Sequence, residues 1–357
     1  MLRGLLKTGV AVALHRTNSD RLLATLNGTR HAPLIIGYHR TVEEFPSNAL
    51  HTIPSMCIST KMLERQLEWI GRRFRFVSLD ELGAHVESGS PNAERMAAVT
   101  FDDGYHDVYE HAFPLLRKKG IPAAVFVVTD LVGTSRLQIH DLLYLLLARA
   151  EVKWDSTPQA RVRLLEKLGI VPPVPSDPHS AVEMLLGSMT QSNVLCVIEA
   201  LEGEVSIEES VRKEHLTMTR QEIVEMHAAG ITFGSHTHTH ALLPNEDTGR
   251  VENELRISRE TLETWLGERV RHFAFPCGQF NAATVRAVAQ AGYRYGYTIC
   301  KHRDSGFPLL TMPRKLLWEN SCLDALGSFS PSIMSCQVHG AFDLVSGCKL
   351  QHASAAA

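Results

Sequence analysis

The apolar positions of this chain fall into two alternating rhythms. Leu34-Ile35-Ile36-Gly37-Tyr38 is an unbroken apolar run, as a strand buried on both faces requires. Over 60–72, Leu63, Leu67 and Ile70 recur at helical spacing behind Ser59 or Thr60, either of which suits an N-cap. Phe74, Phe76 and Ser78 then alternate as in a strand, and 79–86 returns to the helical period. Residues 97–101 form a short apolar strand that runs into Asp102-Asp103-Gly104. A helix over 108–118 closes at Gly120, and 123–128 is a strongly apolar strand.

Regular alternation stops over about 133–214, which reads as helical and irregular around the Pro-rich stretch 171–178. This segment is expected to be an insertion between two strands, with its ends close together on the scaffold; a separately folding helical domain is the alternative. Alternation resumes with a helix over 220–229, opened by Thr217 or Thr219 and ended by Gly230. A strand over 231–234, a helix over 249–266, a strand over 272–275, a helix over 281–291 and a strand over 293–299 follow. Repeated β-then-α units imply parallel strands with helices outside them. The expected class is therefore α/β, an incomplete or distorted (β/α) barrel with a helical insertion. It divides into an N-terminal helical segment (1–30), a catalytic domain (31–320) and a C-terminal tail (321–357). Polar groups directly after several strands sit where barrel enzymes place their sites.

Composition narrows the function. The 357 residues are 44% hydrophobic and 21% charged with a formal charge of −3, so no nucleic-acid partner is expected. Seven scattered cysteines, without a C-x-x-C pair, argue against a disulfide framework and a thiolate zinc site, and for a reducing compartment. Cys336 and Cys348 are still able to pair. The apolar run 10–14 is too short to span a bilayer, and His15, Arg16, Asp20 and Arg21 follow too soon for a signal peptide. A cytoplasmic protein is expected, with residues 1–25 forming an amphipathic helix packed on the domain or touching a membrane peripherally.

Two clusters carry chemistry. Asp102 and Asp103 follow an apolar strand, and successive strand residues point opposite ways, so one carboxylate can face a metal while its neighbour faces substrate or water. His236-Thr237-His238-Thr239-His240 also follows a strand. On extended backbone all three imidazoles share a face; on a helical turn only His236 and His240 do. Asp103 with two histidines makes a set with open positions, suited to one divalent metal: zinc first, with cobalt, manganese or iron sharing these ligands. Asp102 is then free to act as a general base, which completes a toolkit for amide or ester hydrolysis. In Phe273-Ala274-Phe275-Pro276-Cys277-Gly278 the rigid turn offers the Cys277 N–H to a developing oxyanion.

Thr100-Phe101-Asp102-Asp103-Gly104-Tyr105, Gly234-Ser235-His236-Thr237-His238-Thr239-His240 and the Phe273 to Gly278 motif, in that order, resemble the polysaccharide deacetylase family, carbohydrate esterase family four. Gly37-Tyr38-His39-Arg40 and 74–82 resemble its exopolysaccharide-biosynthesis branch. The resemblance covers about 34–314 apart from the insertion. It implies removal of N-acetyl groups from amino-sugar oligo- or polysaccharides. It implies Asp102 as base, Asp103, His236 and His240 as metal ligands, His238 as a variable position, and Cys277 at the oxyanion. Tyr105 and Arg314 are grouped with Cys277 on the substrate side. Two departures stand out. Ala274 occupies a position where the family often has an arginine steadying the base, and Arg314 is the expected substitute. The family's late Leu-x-His acid is missing, which leaves His39 and His339 as candidate acids, with His39 preferred. A non-sugar amidohydrolase and a non-catalytic saccharide-binding relative are the competing functions.

Overall fold

The unbroken apolar runs become parallel strands whose side chains are buried on both faces. A computed structural model describes residues 2–26, 32–46, 48, 50–89, 95–170 and 173–344. Cys348, the tail 353–357 and the first two residues of the Pro-rich stretch lie outside the described residues. The strands in chain order are β1 (Leu34–Tyr38), β2 (Arg40–Val42), β3 (Cys57–Ser59), β4 (Arg75–Phe76), β5 (Met96–Phe101), β6 (Ala123–Val127), β7 (Thr232–Ser235), β8 (His272–Ala274), β9 (Tyr295–Thr298), β10 (Met312–Pro313) and β11 (Lys315–Leu316). The main sheet has the order β10-β9-β8-β7-β6-β5-β1-β11, with β4 beside β5, and every pairing is parallel. β2 and β3 pair separately.

Arg314 alone separates β10 from β11. The chain pairs with β9 just before Arg314 and with β1 just after it. One short passage thus ties the two edges together, and the sheet is a nearly closed barrel with one unsealed seam. The register levels the strand ends: Tyr38 pairs with Phe101, and Val127 with Ser235. His39, Asp102 and His236 are each the first residue past a strand, so they gather at one mouth of the barrel.

Helices cover the sheet and are capped locally. Ser59 accepts from the Met62 N–H, and Thr219 and Glu222 form a reciprocal capping box. The helix predicted over 108–118 is interrupted. It opens as a π turn over Val108–Ala112, with Phe113 N–H bonded to the Val108 carbonyl, before Phe113–Lys119 continues as α-helix. Pro114 has no N–H for the i−4 bond, which relaxes the ladder at that point.

The insertion is a regular helical layer rather than an irregular one. Its helices, Ile139–Trp154, Pro158–Lys167, Pro178–Ser188, Gln191–Glu202 and Glu209–Lys213, close on an apolar cluster of their own that includes Leu143, Leu146, Leu185, Val194 and Leu201. Its two ends meet: Gly133 N–H donates to Met218 O at 3.0 Å, and the Thr217 hydroxyl to Leu131 O at 2.7 Å. The opening helices Leu2–Arg16 and Ser19–Leu26 pack with Pro331–Val338, burying Ala11, Ile333 and Cys336 together. Leu5, Leu6 and Val10 face solvent. Among the described residues no helix is long and apolar enough to cross a membrane.

Close approach at β9 makes a sharp test. A Cβ on Gly296 would lie 2.2 Å from the Leu310 carbonyl oxygen and 2.7 Å from its carbon, and backbone cannot swing aside as a side chain can. Gly296→Ala is expected to destabilise the barrel by at least about 1–3 kcal/mol. Gly9→Ala, in the exposed helix with open space around it, should not destabilise. Thermal unfolding followed by circular dichroism compares the two.

Candidate active site

Asp102 leaves β5 with its N–H on the Tyr38 carbonyl at 2.9 Å, and its carboxylate is buried. Arg314, at the barrel seam, grips it with both ends of the guanidinium. One Nη bonds Oδ1 at 2.6 Å and the other bonds Oδ2 at 2.7 Å. Arg314 also donates to the Thr100 hydroxyl at 3.1 Å and lies over the Phe126 ring. Burial alone would raise the Asp102 pKa, but the guanidinium outweighs it and holds the carboxyl down at about 2. The arginine absent at Ala274 therefore comes from the segment that closes the barrel. Arg314 pairs with Asp102, as expected of that substitute, and its grouping with Cys277 on the substrate side does not hold.

Asp103 has no such partner. Both of its oxygens are buried without a hydrogen bond, and burial together with Asp102 and Asp141 pushes its pKa well above the ordinary range. The Nε2 atoms of His236 and His240 lie 3.5 and 3.4 Å from Asp103 Oδ1. The His236 Nδ1–H donates to Ala274 O at 2.8 Å, which leaves Nε2 with its lone pair facing Asp103. One donor atom from each of the three residues lies within 4.8 Å of the others. A buried carboxylate with no hydrogen-bond partner, faced by two imidazole nitrogens, fits a cation, and these three residues are the ones that would hold it.

His238 turns the other way. Its Nδ1 bonds the Thr129 hydroxyl at 2.9 Å and its Nε2 lies 3.8 Å from Asp130. The sharing of one face by all three histidines, open on sequence grounds, does not occur. The i, i+4 geometry is produced by positive φ at Thr237 and His240 (67° and 63°) rather than by a helical turn. Asp103 (71°) and Cys277 (51°) are also in that region. Among the described residues, Asn18 is the only other non-glycine there, so backbone strain concentrates at this site. Glu254, buried in the Thr248–Leu266 helix, supports the histidine loop by accepting from His238 N–H at 2.9 Å and Thr239 N–H at 2.8 Å.

The cluster opens into a cavity of about 720 Å³. His39, Asp102, His240 and Cys277 line its barrel side, and Val182 and Leu186 of the Pro178–Ser188 helix form a wall. Enclosure pushes the His39 imidazole down to about 4, with Asp102 pulling the other way. Two expected site residues lie elsewhere. The Tyr105 ring is fully buried, its hydroxyl on Asp141 and His140, and it does not line the cavity. His339 ends the Pro331–Val338 helix and contacts Arg95 at 3.0 Å and the Ser335 hydroxyl at 3.2 Å, with Asp20 at 3.6 Å. Arg95 immediately precedes β5, at the end away from Asp102, so His339 is remote from the cavity.

Sequence reasoning missed Gln138, His140 and Asp141 because they open a segment read as scaffold. The available signal was a His-Asp pair at the head of a helix otherwise as apolar as Ile139–Trp154. The Gln138 amide donates to Asp103 O at 2.8 Å, and His140 Nε2 lies 3.6 Å from Asp103 Oδ2.

Comparison with known proteins gives a consistent picture. A family model described as polysaccharide deacetylase matches residues 89–160 and 185–296, just over half of the chain. Bacillus subtilis YxkH, provisionally named a polysaccharide deacetylase, is 19% identical over 245 residues, covering 68% of this chain and 59% of that protein. The poly-beta-1,6-N-acetyl-D-glucosamine N-deacetylase of Staphylococcus epidermidis is 26% identical over 122 residues, covering 32% of this chain and 42% of that protein. The chain thus spans less than two thirds of the length of either relative. The Streptococcus pyogenes deacetylase PplD, solved with acetate, superposes with a TM-score of 0.54 at 18% identity, covering 86% of this chain and 97% of that one. IcaB from Ammonifex degensii gives 0.51 at 19%, with 82% and 94% covered. These two likenesses establish the fold. His39 and Arg314 lie outside the residues that the family model matches.

The Asp102–Arg314 pair predicts a pH-dependent stability effect. With Asp102 held near 2, below the usual carboxylate value of about 3.9, the pair stabilises the fold above pH ~4 and is lost as pH falls through 2. Arg314→Met strands a buried charge and should cost about 3–5 kcal/mol at pH 8. Without the guanidinium, burial raises the folded pKa, so the deficit should shrink as the pH is lowered and Asp102 takes up a proton. Urea unfolding at pH 5 and pH 8 checks the sign; a deficit larger at pH 5 contradicts it.

Proposed function

Because this chain belongs to the polysaccharide deacetylase family, we propose that it is a metal-dependent hydrolase removing N-acetyl groups from an amino-sugar oligo- or polysaccharide. The observation that carries this reading is the buried Asp103 carboxylate, unpartnered at both oxygens and faced by two imidazole nitrogens at 3.4 and 3.5 Å. The substrate named for the Staphylococcus epidermidis relative makes β-1,6-linked N-acetylglucosamine the first polymer to try. Zinc is the proposed ion, on the strength of the two-histidine, one-carboxylate set.

A divalent cation held by Asp103, His236 and His240 would supply Lewis acidity toward an acetyl carbonyl and a water. Asp102, oriented by the two-point grip of Arg314, accepts the proton of that water at a carboxylate oxygen. His39 is the proton carrier to the leaving amine. The Cys277 N–H, on the same cavity wall, is the proposed donor to the oxyanion. Water adds to the carbonyl carbon, the C–N bond breaks, and acetate and a free amine result. With Arg314 bound to Asp102, the gap at Ala274 no longer favours a non-catalytic relative.

Zinc-loaded protein is expected to release acetate from β-1,6-linked N-acetylglucosamine oligomers or from chitooligosaccharides, and much more slowly from simple acetamides. Equal turnover of all three would sink the saccharide reading. Asp102→Asn should keep its metal and lose at least about a hundredfold in kcat. A variant that loses metal instead exchanges the roles of Asp102 and Asp103. His39→Ala should fall by a comparable factor and His339→Ala should match the wild type; the reverse order overturns the choice of acid.

A further inference from the structure

We infer that the helical insertion is part of the metal centre. His140, in the insertion's first turn, is a positioning residue that presents a proton to the second oxygen of Asp103. This inference rests on the reading of Asp103, His236 and His240 as ligands, and it assigns a distinct duty to residues outside that set.

Three imidazoles surround the Asp103 carboxylate, but they do not share one oxygen. His236 and His240 face Oδ1, whereas His140 Nε2 is 3.6 Å from Oδ2. The hydrogen bonds behind His140 decide which form its ring takes. The single proton of the Tyr105 hydroxyl goes to Asp141 Oδ2 at 2.6 Å. Tyr105 can then only accept from His140 Nε2 at 2.9 Å, so that nitrogen carries hydrogen. A protonated nitrogen has no lone pair for a cation. Its one hydrogen lies on the Tyr105 oxygen at 2.9 Å and beside Asp103 Oδ2, an oxygen with no partner in the structure, at 3.6 Å. A movement of about half an ångström lets that hydrogen bridge both oxygens as a three-centre bond. With Oδ1 turned to a cation, Oδ2 then faces this shared N–H, which favours ligation by Asp103 through Oδ1 alone.

The grip is wider than one contact. The Gln138 amide, two residues earlier, bonds the Asp103 carbonyl at 2.8 Å and supports its left-handed backbone. The His140 ring packs on the His240 ring with centroids 4.8 Å apart, which limits the rotation of a ligand imidazole. Gln138, His140, Asp141 and Tyr105 are all buried. Three residues at the head of the Ile139–Trp154 helix, Gln138, His140 and Asp141, with Tyr105 beside them, thus bear on the carboxylate, the backbone and a neighbouring ligand ring. A segment that served only to roof the cavity would need none of these contacts.

The experiment uses the full chain and two probes, Zn²⁺ affinity by chelator competition and the visible spectrum of the Co²⁺-loaded protein. H140A should bind zinc about 10–100-fold more weakly, the usual effect of losing a group that holds a metal ligand. Its cobalt bands should shift as Asp103 becomes free to bind through both oxygens. H140Q, which restores an N–H donor, should recover most of the affinity. Y105F should shift both readouts in the same direction by less. L201A, in the insertion core, should lower the unfolding temperature and leave both unchanged. Wild-type affinity and spectrum in H140A overturn the inference, as does an H140Q variant no better than H140A. If H140A does not fold, wild-type behaviour of Y105F in both readouts overturns it equally. Asp103→Ala separates the two levels. Loss of metal there with none in H140A defeats only the role of His140, whereas unchanged binding in Asp103→Ala defeats the metal centre itself.

Discussion

Two adjacent carboxylates buried at the end of one strand cannot both stay ionised without positive charge beside them. Asp102 and Asp103 are 2% and 1% exposed, so solvent does not screen them. The structure meets the two charges differently. Asp102 receives a fixed cation, Arg314, in a two-point pair. Asp103 receives none from the protein and is left facing His236 Nε2 and His240 Nε2 at 3.5 and 3.4 Å. On the proposed reading, one carboxylate is thereby kept available as a base while its neighbour is kept as a ligand. The same-residue pair acquires two roles from environment alone.

This charge requirement explains features that otherwise look unrelated. The barrel closes through a two-part strand that changes partner at Arg314, and closure delivers that guanidinium to Asp102. The left-handed backbone at Asp103, Thr237, His240 and Cys277 turns polar groups inward at the strand ends, and buried partners such as Glu254 and Gln138 hold the strained loops. The insertion, with an apolar cluster of its own, reaches under the site through the same few residues that open its first helix.

Much of this was legible in the sequence. Apolar runs with polar groups directly after them gave the barrel and its mouth, and the motif residues Asp102, Asp103, His236 and His240 assemble there. Arg314 was legible only as the answer to a gap at Ala274, because its role depends on a strand switch that no local pattern encodes. Tyr105 and His339 were misplaced for different reasons. Tyr105 belongs to the first motif in sequence, but its side chain bonds Asp141 and does not line the cavity. His339 was considered because it is late in the chain, and the helix carrying it runs back to the opposite end of the barrel. His140 was invisible because burial next to a distant carboxylate leaves no periodic signature, only a charged pair on an apolar helix. The π turn before Pro114 follows from a missing N–H and could have been read from the proline itself.

The account depends most on where a divalent ion binds. Crystals of the zinc-loaded protein at neutral pH, measured on both sides of the zinc absorption edge, locate the ion directly by anomalous difference density. The account predicts one strong peak about 2.0–2.2 Å from an Asp103 oxygen and the Nε2 atoms of His236 and His240, with Asp102 still paired to Arg314. A peak held by Asp102 or His238, or no peak at Asp103, would contradict it.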